Sequence, residues 1–144
     1  MIRKLTEDDA RELSAMIRKI LYDVNINDTP ESSIKELYDE YSEEGIKELS
    51  KKRDIYVAVE HDIIGSVAKD ENFICTLFVK HRYKGLGKKL LLFIELKIRQ
   101  EGYDHTWLVS SLSSDGFFRK MGYEETEKQY LDGEVTGIYM RKRW

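Results

Sequence analysis

One cysteine, Cys75, and one proline, Pro30, stand among 144 residues. A lone cysteine excludes an intrachain disulfide and suits a reducing, cytoplasmic compartment. His61, His81 and His105 are scattered, and with one cysteine they offer no metal-ligand spacing, so no metal is expected. There is no repeat, low-complexity segment or Pro/Ser-rich linker, which leads us to expect one domain over residues 1–144. The longest apolar run, residues 90–94, is far too short to cross a bilayer, and the N-terminus lacks the apolar core of a signal peptide. Nor is there an excess of positive charge: 24 Lys and Arg face 27 Asp and Glu, a poor balance for general nucleic-acid binding. What remains is 41% hydrophobic and 35% charged, enough apolar material for a core without staples.

The apolar pattern divides the chain into elements. Thr6 reads as an N-cap with Asp9 three residues on, and Ala10, Leu13, Ile17, Ile20 and Leu21 recur at helical spacing. That helix is expected to end near Leu21 or Tyr22, before a polar loop over 22–28. Thr29-Pro30 opens a second helix with Ile34, Leu37, Tyr38 and Tyr41 on its stripe, and Ser42 caps a third with Ile46 and Leu49. From Asp54 the pattern turns β-rich: 55–59 and 63–68 form a hairpin about His61-Asp62, and 73–79 forms a buried strand. Residues 86–100 predict a long helix, apolar nearly all round and therefore expected to be covered on most sides. A strand at 107–109 follows. A short helix over 115–121 is stopped by Gly122 in the left-handed region, and a last hairpin turns at Asp132-Gly133. The fold class expected is α/β with a mixed sheet (α+β in character): N-terminal helices, an antiparallel meander, a central right-handed strand–helix–strand crossover and a C-terminal hairpin.

The chemistry concentrates in Arg82-Tyr83-Lys84-Gly85-Leu86-Gly87, between the strand ending at Val79 and the long helix. A strand–glycine loop–helix is an anion cradle. Glycine lets the backbone approach closely, the first-turn amides lack helical partners, and the helix dipole adds positive potential. Arg82, Lys84, Lys88 and Lys89 add charge, and the combination suits a pyrophosphate. It is not a P-loop, since no G-x-x-x-x-G-K-[ST] string occurs, and the dinucleotide fingerprint G-x-G-x-x-G has the reverse spacing.

R-x-x-G-x-G after an apolar strand resembles the acetyl-CoA motif of the GNAT superfamily of N-acyltransferases. A second stretch agrees: Gly116-Phe117-Phe118-Arg119-Lys120-Met121-Gly122-Tyr123 is similar to the family's later F-Y-x-K-x-G-F/Y segment. Thr76-Leu77-Phe78-Val79 resembles the family's strand before the loop. The resemblance spans nearly the whole chain, in residues for the C-terminal half and in pattern for the rest. It implies an acetyl-CoA-dependent N-acetyltransferase that transfers the acetyl group directly to a primary amine in a ternary complex. It also implies that backbone amides over 83–89 (Tyr83, Lys84, Gly85, Leu86, Gly87, Lys88 and Lys89), with Arg82, hold the CoA pyrophosphate. Leu77, Phe78 and Val79 would line the pantetheine arm in a splay beside Trp107-Leu108-Val109, with Phe117 and Phe118 against it. The amine acceptor would enter near the loop after the first helix, where Tyr22 and Asn25 are the candidate contacts and Asp23 lies between them. Many members of the family are dimers, so the resemblance allows a homodimer.

One departure bears on catalysis. The family commonly has Tyr where this chain has Phe118, poised to protonate the departing sulfur, and Phe cannot donate. Either another group or water supplies the proton, or the chain is a non-catalytic or regulatory acyl-CoA-binding module. A thiol with a pKa of about 8.5 is already a tolerable leaving group, which favours the first. General acids are worth ~10²–10⁴-fold, and holding the reactants together supplies much of the rest. No catalytic residue is assigned. The family's frequent Asn in this segment is also absent, and Ser110, Ser111, Ser113 and Ser114 occupy the region. Elsewhere Cys75 reads as a buried structural thiol, and the histidines and Glu60 as solvated groups. Lys51-Lys52-Arg53 and Arg141-Lys142-Arg143 read as solvated ends.

Overall fold

The computed structural model describes residues 1–23, 31–81 and 83–144, the side chains of 31–33 aside. Asn25, the Thr29-Pro30 helix start and Arg82 lie outside these residues. Seven strands form one sheet in the order β1-β2-β3-β4-β5-β7-β6. They are β1 (Ile2–Lys4), β2 (Asp54–Glu60), β3 (Asp62–Asp70), β4 (Phe73–Val79), β5 (His105–Ser110), β6 (Glu124–Leu131) and β7 (Glu134–Arg143). The helices are α1 (Ala10–Asp23), α2 (Glu31–Glu40), α3 (Glu43–Leu49), α4 (Leu86–Gln100) and α5 (Asp115–Lys120). All neighbouring strands are antiparallel except β4 and β5, which run parallel with α4 as their crossover. This is the mixed α/β fold expected, with its N-terminal helices, meander, crossover and closing hairpin.

The caps form where the sequence signals them. Thr6 donates from its amide and hydroxyl to Asp9 Oδ2 at 2.8 and 2.9 Å, and Ser42 accepts from the Gly45 amide at 3.0 Å. Arg3 adds a bidentate pair to Asp9 at 2.7 and 3.0 Å, which holds that carboxyl well below the usual range. Gly122 (φ 96°) ends α5 as expected, and Asp132 and Gly133 turn the last hairpin with φ of 52° and 82°.

Each face of the sheet has its own core. Ala10, Leu13, Ile17 and Leu21 of α1 pack with Ile46, Val57, Ile63 and Ala68 on one face. Leu90, Leu91, Ile94 and Ile98 of α4, each fully buried, pack with Val67, Leu108 and Met140 on the other. At about 1.5–3 kcal/mol per buried side chain, those four residues hold α4 to the sheet.

Several expectations need correction. β1 was not anticipated, because Ile2-Arg3-Lys4 carries almost no pattern and is a strand only through pairing with Tyr56–Ala58 of β2. Helix one runs on to Asp23. α4 is not covered on most sides: Leu92 and Leu96 are 45% and 53% exposed, while the buried face includes the acid Glu95. Lys142 is not a solvated end. It lies in β7, and its ammonium meets Glu95 Oε1 at 2.9 Å. Arg53 likewise reaches the Tyr41 hydroxyl at 3.3 Å and Glu40 at 3.7 Å.

Candidate active site

β4 is bonded differently along its two edges. Toward β3 it is paired from Phe73 to Val79, with one irregularity: Ala68 faces Thr76 and Lys69 faces Ile74, so Cys75 is the extra residue of a β-bulge. Toward β5, among the described residues, the only paired positions are Phe73 and Trp107. The Asn72 carbonyl pins this apex, accepting from the Trp107 amide at 3.2 Å and the Thr106 hydroxyl at 2.8 Å. Beyond it β5 follows β7 through Ser110, and the two parallel strands diverge.

The result is a cleft of about 360 Å³. Cys75 to Val79 form one wall, and Leu108 to Ser111 with Phe117 and Phe118 form the other. The ladder fixes which backbone groups face it. The Lys80 amide bonds Ile64 O on the β3 side at 2.9 Å, and successive residues of a strand alternate. Leu77 and Val79 therefore turn their backbone groups toward the cleft, whereas Phe78 turns its own toward β3. The Phe78 ring packs edge-on to Tyr41 at 5.5 Å.

The glycine loop closes one end. Gly85 sits at φ 81°, a conformation that costs a side chain about 1 kcal/mol or more, and this turns the chain into α4. The first helical bond runs from the Lys89 amide to Gly85 O at 3.2 Å, and the Leu86 amide returns to Tyr83 O at 3.3 Å. Among the described residues no acceptor meets the amides of Gly87 and Lys88. The first turn of α4 holds no acid to occupy them. Lys84, Lys88 and Lys89 are exposed and form no ion pair among the described residues. A Cβ placed on Gly87 would lie 3.6 Å from the Phe117 ring and 3.8 Å from Val79, so the loop opens directly onto the cleft walls. Tyr83 and Leu86 pack half-buried against the α4 core.

α5 supplies the remaining wall. Phe118 is buried and packs edge-on to Phe117 at 5.1 Å and to Tyr123 at 5.8 Å. The neighbouring tyrosine is not a proton donor to the cleft, since the Tyr123 hydroxyl donates to Glu95 Oε2 at 2.7 Å. Burial, then the Glu95 charge, pushes that phenol far above its ordinary pKa.

Some expected contacts are not brought together. Tyr22 is 65% exposed and faces a separate open hollow with Arg11, Arg18 and Tyr38; α1 reaches the cleft through Ile20 instead. Cys75 is half-buried, packing against the α1-side core and also lining the cleft, and burial raises its thiol pKa. His81 is exposed and also lines the cleft. Sequence reasoning passed over Ser111, Ser113 and Ser114 as site residues. Their signal was four serines within five residues immediately before the second motif. Among the described residues no three His, Cys, Asp or Glu side chains are grouped to hold a metal, and no helix is long and apolar enough to cross a membrane.

Solved structures share this architecture. A GCN5-related N-acetyltransferase from Rhodopseudomonas palustris superposes at TM-score 0.86 with 18% identity, over 100% of this chain and 95% of that one. The PaiA N-acetyltransferase of Thermoplasma acidophilum, solved in complex with coenzyme A, superposes at 0.82 with 22% identity, over 100% and 98%. In sequence, the uncharacterized protein YyaT of Bacillus subtilis is 29% identical over 80 residues, 56% of this chain and 53% of its own length. An uncharacterized N-acetyltransferase of Chlorobaculum tepidum is 35% identical over 54 residues, 38% and 34% of the two chains. The chain thus spans about half or less of the curated relatives it matches. The model of the acetyltransferase (GNAT) domain matches residues 25–144. With five-sixths of its length in that match, and a parallel β4/β5 pair parted above a glycine loop, the chain belongs to the GNAT acetyltransferase family.

Proposed function

We propose that this protein is an N-acetyltransferase that moves the acetyl group of acetyl-CoA to a primary amine by direct attack in a ternary complex. The observation that carries the reading is the parting of β4 from β5. Among the described residues it leaves the backbone groups of Leu77 and Val79 unpaired toward the cleft, whose Val79 and Phe117 walls adjoin Gly87, where the amides of Gly87 and Lys88 also meet no acceptor. Unpaired backbone groups at such a place are costly unless something binds them. The pantetheine arm of CoA is an amide chain that can complete a β ladder, and its pyrophosphate suits the loop. The coenzyme A bound to the Thermoplasma acidophilum neighbour supports the same ligand.

In this reading the first-turn amides of α4 with Lys84, Lys88 and Lys89 hold the pyrophosphate, joined by Arg82. Leu77 and Val79 align the pantetheine arm, Phe117 and Phe118 cover it, and a β4 amide stabilises the developing oxyanion. Tyr22 and Asn25 remain our candidate acceptor contacts. We place the protein in the cytoplasm, working as one domain, with a homodimer allowed. Phe118 favours a second reading, an acyl-CoA-binding module without turnover.

Thermal unfolding with and without acetyl-CoA, followed by thiol release against a panel of amines, tests both. Ligand at 100 times its dissociation constant stabilises by about 2.7 kcal/mol, a shift of several degrees. A shift with thiol release on some amine supports the enzyme. A shift without release on any amine supports the binding module. No shift at millimolar acetyl-CoA overturns both.

A further inference from the structure

The second motif has Phe118 where a tyrosine would be expected, yet the cleft beside it holds hydroxyls. Ser114 immediately precedes α5, and Phe118 follows it by one helical turn, so both stand on one face. Both also line the cleft. The Ser114 hydroxyl plays no part in capping α5. It accepts instead from Ser111 Oγ at 2.8 Å, and Ser111 is 3.4 Å from Ser113 Oγ. Ser111 and Ser113 are exposed to water while Ser114 is half-buried. A hydroxyl has one proton to give, and among the described residues no acceptor meets that of Ser114. The chain of bonds therefore runs from solvent through Ser111 to Ser114, with its last proton left over at the cleft.

Among the described residues Thr76 brings a further hydroxyl to the cleft, on the β4 wall, and the other donors nearby are committed or lacking. Phe118 has none, and Tyr123 gives its proton to Glu95. Cys75 directs its thiol at Phe73 O, 3.8 Å away on its own strand. The Asp115 carboxylate beside Ser114 is paired with Arg119 at 3.1 Å. His81 is the remaining titratable side chain on the cleft wall.

We propose that Ser114, supplied through Ser111, hydrogen-bonds the departing sulfur and delivers its proton, in place of the tyrosine that Phe118 replaces. The inference rests on the acetyl-CoA reading above. As the amine nitrogen bonds the acetyl carbon, the carbon–sulfur bond breaks and its electron pair goes to sulfur. The sulfur takes the Ser114 proton, Ser114 takes that of Ser111, and Ser111 is refilled from water. The amine gives its surplus proton to water, so the sum is amide plus free thiol. A serine hydroxyl is too weak an acid to be left ionised, which is why the second hydroxyl and its contact with water matter.

The experiment needs no known acceptor. CoA is bound to the protein, confirmed by calorimetry, and its thiol is titrated by the ultraviolet absorbance of the thiolate. A donor aimed at sulfur favours the thiolate, so the bound thiol should titrate below that of free CoA in the same buffer. Ser114→Ala should raise that midpoint by about one to two pH units, the size of a hydrogen bond to a charged group. Ser114→Thr should leave it low, and Phe118→Tyr added to Ser114→Ala should lower it again, a rescue that a structural role for Ser114 would not give. Ser111→Ala should raise it partway and serves as the test should Ser114→Ala not fold. Equal midpoints in wild type and both serine variants, with CoA bound, overturn the relay. A rise on His81→Ala alone assigns the proton to the imidazole and also overturns it. Wild-type protein that binds no CoA overturns the acetyl-CoA reading itself, and the relay with it.

Discussion

Two polar clusters border α5 and its flanking residues, and they are built in opposite ways. Beyond its C-terminal end, the Tyr123 hydroxyl and the Lys142 ammonium each take one oxygen of Glu95, at 2.7 and 2.9 Å, inside the core. At its start, Ser111, Ser113 and Ser114 bond one another at the edge of the cleft and leave a proton over. In the first cluster the described donors and acceptors answer each other, and Glu95 and Tyr123 are closed off from water. In the second the bonds are incomplete and water reaches them. A closed network fixes where α5 stands, and an open one can exchange a proton with what enters the cleft. The same contrast appears on β4, zipped to β3 along one edge and free along most of the other.

The sharpest way to break this comparison is Glu95→Ala. It leaves a largely buried ammonium and a buried phenol without their shared acceptor. Removing one partner of a buried ion pair costs about 3–5 kcal/mol. Lys142 keeps some access to solvent, at 18% side-chain exposure, so the loss should fall near the lower end. Urea unfolding measures it, and a loss under about 1 kcal/mol would mean that the cluster does not hold α5 in place.

Tyr123→Phe should come next, at about 1.5–3 kcal/mol for a hydrogen bond to a charged group. It also has a signature in pH. The unfolded phenol ionises near pH 10, whereas burial and the Glu95 charge keep the folded one protonated well above that. Above about pH 10 the folded state thus binds a proton that the unfolded chain releases, and stability falls as pH rises. Tyr123→Phe should remove that part of the alkaline decline and leave the smaller one from Tyr41, whose pKa burial also raises. An unchanged alkaline slope, followed by thermal unfolding from pH 8 to about 11, would show the phenol to be no part of a closed network.

The two clusters also differ in how legible they were. The Gly85 loop, the caps at Thr6 and Ser42 and the stop at Gly122 are local signals. Each needs only a few neighbouring residues, and each forms as read. Glu95 carried no such signal. On an apolar helix one acid reads as a surface residue, and only the return of β7, 47 residues later, brings Lys142 to meet it. β1 was missed for the same reason, because its pairing partner lies more than 50 residues away. In the site, the glycine loop was legible from its own residues, since helix starts follow from local pattern, while Leu77 and Val79 came only from the family resemblance. That Ser114 rather than Tyr22 borders the cleft depends on where α5 and α1 lie against the sheet, which no short window contains.

The smallest effect is expected where the chemistry is expected to be largest. Ser114→Ala removes a half-buried hydroxyl that caps nothing and whose donor, Ser111, can turn to water. Substitutions of that kind change stability by no more than about 0.5 kcal/mol, so the thermal midpoint should barely move. Thiol release on an accepted amine should nevertheless fall, toward the lower end of the ~10²–10⁴-fold that a general acid is worth, with the KM for acetyl-CoA unchanged. A residue that mattered only by positioning α5 would do the reverse, costing stability first and activity in proportion. If Ser114→Ala behaves like a weak Tyr123→Phe, with loss of stability and no separate loss of turnover, then the serines belong with the closed cluster and the contrast between the two ends of α5 fails.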